Sequence, residues 1–350
     1  MTTYRSACYC GLGPGTTSNN ISLIQKSGLT TVIDFALHVG RKGNGVQQWG
    51  DFVFNDGYPK ESYPFLRNGN FNPYNDAAIK AWPNDLHTLK QNGVQEIFFS
   101  IGGWGGPPDY PVKDFATIQY MLDNGMKNVL VENFTTFRDK FPAVSGFDLD
   151  CEEFGNSPGQ FYPDFYPTKD PHTVGQDTIV QLCEILFDLK FKVTFCPFGS
   201  AAIWQGSMQQ LCTSKKGVVS WWNLQCYAGG SGNRSALADW LQKLAAVKLP
   251  GTPNPTPIGK NAGAYLVPGL SVQNQDPQWP NPQCPTGIGG MCQTFADMNK
   301  QNKKAYGDLA GGFLWDLDGI GSNTTPCGGK VPTLGDYVNA ITSGLADKCS

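Results

Sequence analysis

The chain is 350 residues long and carries 26 Lys and Arg against 29 Asp and Glu, for a formal charge of -3 with only 16% charged residues. An aromatic content of 12% with 42 Gly and 25 Pro describes a loop-rich globular chain and excludes a disordered one. Charges of both signs are spread without long runs, so there is no electrostatic footprint for nucleic acid or an anionic membrane, and no apolar stretch is long enough to span a bilayer.

In chain order, a strand-like run at Tyr4–Cys10 is predicted to lead into a helical pattern at Ile21–Gly28, and Thr31–Leu37 into Asp76–Asn92. The runs Glu96–Ile101 and Ser145–Cys151 precede helical patterns over Asp114–Lys140 and Thr173–Leu189. Lys192–Pro197 and Val218–Tyr227 precede Ala201–Cys212 and Ala236–Val247, and Gly263–Val267 and Gly311–Leu317 precede Met291–Tyr306 and Leu334–Ala346. Eight strand-helix units close naturally into a (β/α)8 barrel, here a single domain over residues 1–350. An open doubly wound sheet fits less well, because no G-x-G-x-x-G fingerprint opens the first helix. Within the second unit, Gly50–Gly57 alternates and ends on Asp-Gly, the pattern of a small hairpin over the barrel mouth. The Pro-rich stretches 250–257 and 277–285 read as loops, and the one after the seventh strand is too short to fold as a large α+β insertion.

Eleven cysteines leave at least one thiol free in a monomer, and Cys284 with Cys292 and Cys327 with Cys349 are the expected bridges. Four N-x-S/T acceptors, at Asn20, Asn133, Asn233 and Asn323, together with disulfides, suit an extracellular protein. No signal-peptide pattern opens the chain, so a secretion signal is expected to lie outside this sequence. His38, His87 and His172 show no metal-ligand spacing and no G-x-S-x-G elbow is present, so neither a metal, a cofactor nor a Ser-His-Asp triad is expected.

The most informative stretch is Ser145-Gly146-Phe147-Asp148-Leu149-Asp150-Cys151-Glu152. Strand alternation sends Phe147, Leu149 and Cys151 to one face and Asp148, Asp150 and Glu152 to the other. In a barrel the apolar set packs against helices, which turns the three acids into the lumen near the end of the fourth strand, where barrel enzymes keep their active sites. Acids crowded in this way have raised pKa values, and the deeper two are expected to keep Glu152 protonated as a general acid.

This segment resembles the D-x-x-D-x-D-x-E signature of glycoside hydrolase family 18, the chitinase and endo-β-N-acetylglucosaminidase family, with Ser145 in place of the first acid. Ser100-Ile101-Gly102-Gly103 is similar to that family's S-x-G-G motif, Gln225-Cys226-Tyr227 to its Q/M-x-Y motif and Trp315 to its subsite-floor tryptophan. Ala228 stands where the family usually has Asp or Asn, which removes a polar contact expected near the substrate acetamide. The resemblance implies a retaining hydrolase of β-1,4-linked N-acetylglucosamine chains, cutting internally and acting as a monomer on a carbohydrate substrate. Asp150 lies only about 6.5–7 Å from Glu152 on the same strand face, so it cannot attack from the opposite side. The substrate's own acetamido oxygen is then the nucleophile, and Glu152 is the acid. Asp150 is expected to stabilise the oxazolinium, Tyr227 to orient the acetamide, and Gln225, Asn223 and Trp315 to bind substrate, with Asp148 deeper in the catalytic group. Two other readings stay open: cleavage of the chitobiose core of N-glycans, and a non-catalytic chitin-binding lectin.

Overall fold

The computed structural model describes residues 4–14, 16–42, 48–54, 65–72, 77–104, 114–152, 171–251, 254–272, 284 and 288–349. Eight parallel strands close a barrel: β1 (Arg5–Cys10), β2 (Thr31–Val39), β3 (Glu96–Gly102), β4 (Gly146–Asp150), β5 (Lys192–Phe195), β6 (Trp222–Gln225), β7 (Leu266–Ser271) and β8 (Gly311–Trp315). Each pairs with the next in sequence, and β8 returns to β1 with Arg5 opposite Gly311, which completes the (β/α)8 topology. The helices are α1 (Thr16–Ile24), α2 (Ala77–Gln91), α3 (Asp114–Asp123), α4 (Lys127–Lys140), α5 (Pro171–Asp188), α6 (Ala201–Ser214), α7 (Leu237–Ala246), α8 (Ile288–Tyr306), α9 (Leu317–Gly321) and α10 (Leu334–Leu345). Among the described residues no helix is long and apolar enough to cross a membrane.

Strand alternation splits the apolar residues into two cores. Phe147, Leu149 and Cys151 of the acid strand join a large outer core between strands and helices. Ala7, Tyr9, Ile33, Phe98, Trp221, Val267 and Phe313 fill the lumen instead. The base of the barrel is closed by Arg5, whose guanidinium lies 3.5 Å from the centre of the Trp221 ring and 3.4 Å from Glu96.

Three expectations are corrected. The seventh strand, predicted at Gly263–Val267, forms at Leu266–Ser271, and Gly259–Tyr265 winds as a 3-10 helix. Pro268, just past the predicted end, lacks a ladder donor. It nevertheless pairs with Leu224, and the Gly269 carbonyl accepts from Cys226 N at 3.1 Å. Gly269 has no side chain for a reason: a Cβ there would run into the Phe313 ring that fills the lumen beside it.

The single helix read over Asp114–Lys140 is two, α3 and α4, broken at Gly125, whose φ of +73° is open to glycine at little cost. The expected hairpin is a short antiparallel ribbon in which Phe52–Phe54 pairs with the end of β2, and Phe52 with Leu66; its Asp56-Gly57 turn lies outside the described residues.

The disulfides are Cys284–Cys327 and Cys292–Cys349, not the pairs expected from closeness in sequence. Cys292 is carried off along α8, which packs so tightly on α10 that a Cβ at Gly344 would strike the Cys292 carbonyl. The chain leaving α10 therefore brings Cys349 to Cys292, while Cys284, ahead of α8, meets Cys327. The other seven cysteines are buried thiols.

Candidate active site

The three acids form a ladder up the barrel interior, and depth separates their roles. Asp148 is fully buried in one layer with Ser100 and Thr194, its register partners on β3 and β5. Its Oδ1 accepts from Thr194 Oγ1 at 2.6 Å and Asn223 Nδ2 at 2.9 Å, and its Oδ2 from Tyr9 Oη at 2.6 Å and Ser100 Oγ at 3.3 Å. Burial pushes the Asp148 carboxyl up, while these four donors hold it back. Asp148 thus sits below the cavity and ties five strands together. Asp148→Ala would leave four donors unsatisfied in a closed lumen. It is expected to cost about 3 kcal/mol or more in urea unfolding, and unchanged stability would refute this structural role.

Asp150, 2% exposed, and the half-buried Glu152 are joined by one side chain: the Gln225 amide nitrogen donates to Asp150 Oδ1 at 3.0 Å and Glu152 Oε1 at 3.3 Å. Burial, the Glu152 charge and the Asp148 charge, in that order, hold the Asp150 carboxyl well above the usual carboxylate range. Glu152 is also raised, first by burial, with the Gln225 amide opposing. The cause therefore differs from the expected one: burial comes first at Glu152, and Asp148 acts on Asp150. Two carboxyls sharing one donor titrate as a coupled pair, and both are displaced towards the protonated form. Beside them the Cys196 thiol lies 3.6 Å from the Gln225 nitrogen and is kept protonated by burial and the Asp150 charge.

The pair faces a cavity of about 710 Å³ at the C-terminal end of the strands, a volume suited to a small ligand or a stretch of polymer. Trp315 and Tyr227 line it as near-parallel rings, 5.9 Å apart and inclined by 17°. Phe35 meets Trp315 edge-on at 4.9 Å, and Trp104 and Phe198 complete the aromatic walls. The S-x-G-G motif gives the acids room. Gly102 and Gly103 have φ of +104° and +97°, and Gly103 N donates to the Asp150 carbonyl at 2.7 Å. Side chains at these positions would strike that carbonyl and the Phe35 ring.

Of the residues read from sequence, Glu152, Asp150, Gln225, Tyr227 and Trp315 meet at the cavity. Asn223 does not line it. It is fully buried one layer down, donates to Asp148 and accepts from Trp221 Nε1 at 2.8 Å, so the structure gives it a supporting place in the lumen. Trp204 does not reach the cavity and packs on Phe195 at 4.9 Å in the outer core. Tyr9, Thr194, Cys196 and Phe35 were missed, although each falls on an inward position of a strand or its extension. Their types carry no chemical signal until the acids are placed beside them.

Ser145 accepts from Ile97 N at 3.2 Å at the foot of β4, so its departure from the family pattern concerns strand register and not the cavity. Ala228 lies on the cavity wall. Two expected glycan acceptors serve the fold instead. Asn133 is fully buried and donates to the Gly50 carbonyl, and Asn233 donates to the carbonyls of Phe198 and Gln225, each at 2.8 Å.

A closed parallel barrel with a buried acid pair under an aromatic cleft at the C-terminal ends of its strands makes the chain a (β/α)8 barrel protein, with the cleft where barrel enzymes keep their active sites. No family model and no curated protein matches the chain. Solved structures do match. A chitinase from Bacteroides thetaiotaomicron is similar with a TM-score of 0.55 at 13% identity, over 97% of this chain and 96% of that one. A chitinase from Chromobacterium violaceum gives 0.52 at 11% identity, over 98% and 99%. A glycoside hydrolase family 18 chitinase from Cycas revoluta, in complex with allosamidin, also gives 0.52 at 11% identity over 98% and 99%. At these identities the likeness is one of fold: this chain has the single-barrel fold of those chitinases.

Proposed function

We propose that the protein is an endo-acting, retaining glycoside hydrolase of the family 18 type that cuts β-1,4-linked N-acetylglucosamine chains. The observation that carries this reading is the Asp150–Glu152 pair bridged by Gln225 beneath the Trp315 and Tyr227 rings. Apolar sugar faces stack on such rings, and a buried carboxyl that retains its proton can donate it to a glycosidic oxygen. Glu152, nearer solvent, is the donor. Asp150 shares its strand face and cannot reach the opposite side of the anomeric carbon, so the acetamido oxygen of the substrate attacks and an oxazolinium forms. Asp150 accepts from the acetamide N–H, and the Tyr227 hydroxyl orients the acetamide oxygen. The pair gives up one proton to the leaving group, and the negative charge left behind stabilises the cation. Water, deprotonated by ionised Glu152, then opens the intermediate with retention.

The whole chain acts as one catalytic domain and a monomer. Two disulfides suit an extracellular setting. β7 ends at Ser271 and α8 begins at Ile288, a gap too short for an added domain that would wall one side of the cleft. A polymer can therefore enter sideways. On a soluble chitin derivative, viscosity is expected to collapse before much reducing sugar appears. Slow viscosity loss with steady disaccharide release would show a closed, chain-end mode.

The deciding experiment digests chitin oligomers and a high-mannose glycoprotein side by side, with products identified by mass. Shortened oligomers support the reading. Release of the glycan alone would move the substrate to the chitobiose core of N-glycans, and binding without any product would make the protein a lectin.

A further inference from the structure

His38 is a titratable residue of the cavity wall to which the proposed mechanism gives no role. Sequence alone places it just beyond the predicted strand Thr31–Leu37 with no metal-like spacing, and in the structure, where that strand runs to Val39, its surroundings are those of an oriented ring. β2 shifts register between Asp34 and Leu37, where a bulge opens opposite β3. Before the bulge Ile33 points into the lumen, whereas after it Leu37 and Val39 point to the outer core. That reversal turns His38 inward, onto the wall of the cavity that holds Asp150 and Glu152.

The ring is held from behind. Asp114, 4% exposed in the first turn of α3, places Oδ2 at 2.7 Å from His38 Nδ1, and its Oδ1 accepts from Val39 N at 3.0 Å. A carboxylate pinned to the backbone in this way fixes the ring's orientation and puts a proton on Nδ1. The other nitrogen, Nε2, is buried and has no partner among the described residues. A histidine kept only for packing satisfies both nitrogens or leaves one in water. His87 does so: it lies exposed on α2, with Nε2 3.0 Å from Gln91.

We propose that His38, oriented by Asp114, is a sugar-binding residue of the cavity whose Nε2 takes a hydroxyl of the bound chain. The chemistry selects a hydroxyl over a carbonyl. Burial lowers and Asp114 raises the tendency of the ring to hold a second proton, and the net direction is up. The charged groups facing it are Asp114 from α3 and, across the cavity, Asp150 and Glu152; Val53, its partner on the short outer strand, does not titrate. As an imidazolium the ring offers Nε2–H as a donor, and as a neutral ring it offers a lone pair. A hydroxyl satisfies both states, because it accepts as well as donates, whereas an acetamide carbonyl satisfies only the first.

The inference rests on the carbohydrate reading above, and the test separates the two. His38→Asn keeps an amide nitrogen near Asp114 but removes the outer nitrogen, while His38→Gln extends an amide towards the Nε2 position. Chitotetraose, four β-1,4-linked N-acetylglucosamine units, serves as probe. KM and kcat are measured in the active enzyme, the dissociation constant in a Glu152→Gln background by calorimetry, and the unfolding temperature in parallel. For His38→Asn, KM and the dissociation constant are expected to rise about tenfold, the loss of one hydrogen bond to a charged group, with kcat little changed. His38→Gln is expected to recover part of that affinity. Unchanged KM and dissociation constant in either folded variant, including the case where only the unfolding temperature falls, overturn the proposal while the hydrolase reading stands. A wild type that binds without cutting removes the hydrolase reading and leaves His38 to be judged on binding. A wild type that neither cuts nor binds chitotetraose overturns both.

Discussion

The Glu152→Gln variant is expected to fold normally and to lose about 10²–10⁴-fold in kcat, the usual contribution of a positioned general acid. The substitution is nearly isosteric and Glu152 is half-buried at the end of β4, so little packing changes; what disappears is the proton. The pH profile carries the same information. Burial raises the folded-state pKa of Glu152, so its acid form persists to higher pH than that of a free glutamate. Activity is expected to fall as pH rises through that raised value, and residual activity of Glu152→Gln should lack this alkaline limb. Near-native turnover in the variant would remove Glu152 from the reaction.

Removing the acetyl group from the substrate is expected to have an effect of comparable size. Asp150 and Glu152 share one strand face and one amide donor, and among the described residues lining the cavity there is no other carboxylate to attack from the far side of the sugar. A fully deacetylated glucosamine polymer then has no nucleophile in reach, and its hydrolysis should stay at background while the acetylated chain is cut. Proton NMR at early times on the acetylated chain should show the β-anomer as first product. Rapid cutting of the deacetylated polymer, or an α-anomer, would mean that another group or a water supplies the nucleophile.

The acid ladder was legible because a strand's period of two is strict: Asp148, Asp150 and Glu152 alternate with Phe147, Leu149 and Cys151, and apolar residues must face the helices. The same logic could have found Thr194 and Tyr9, but a threonine or tyrosine on a strand is ordinary until the carboxylate it serves is seen beside it. Asn223 was given to substrate because it shares a face with Gln225. Alternation states the face and not the depth, and one layer separates a ligand contact from a buried donor to Asp148. His38 was obscured by the bulge in β2, which reverses alternation at a place that period-two counting cannot locate.

The sequence by itself determined the repeating strand-helix order, hence the barrel, and the acids that face its lumen, because both follow from local periodicity and the need to bury apolar faces. Tertiary structure decided what depends on meetings between distant segments. The pairing of Cys284 with Cys327 and Cys292 with Cys349 was set by α8 lying against α10. The extension of β7 through Pro268 was set by its neighbours in the ladder. The sharing of Gln225 between Asp150 and Glu152, 75 and 73 residues away, and the backing of His38 by Asp114, 76 residues away, were set by which strands and helices the closed barrel brings side by side. Hydrogen bonds and desolvation act over a few ångströms in space whatever the separation along the chain, so they enter only once the barrel has closed.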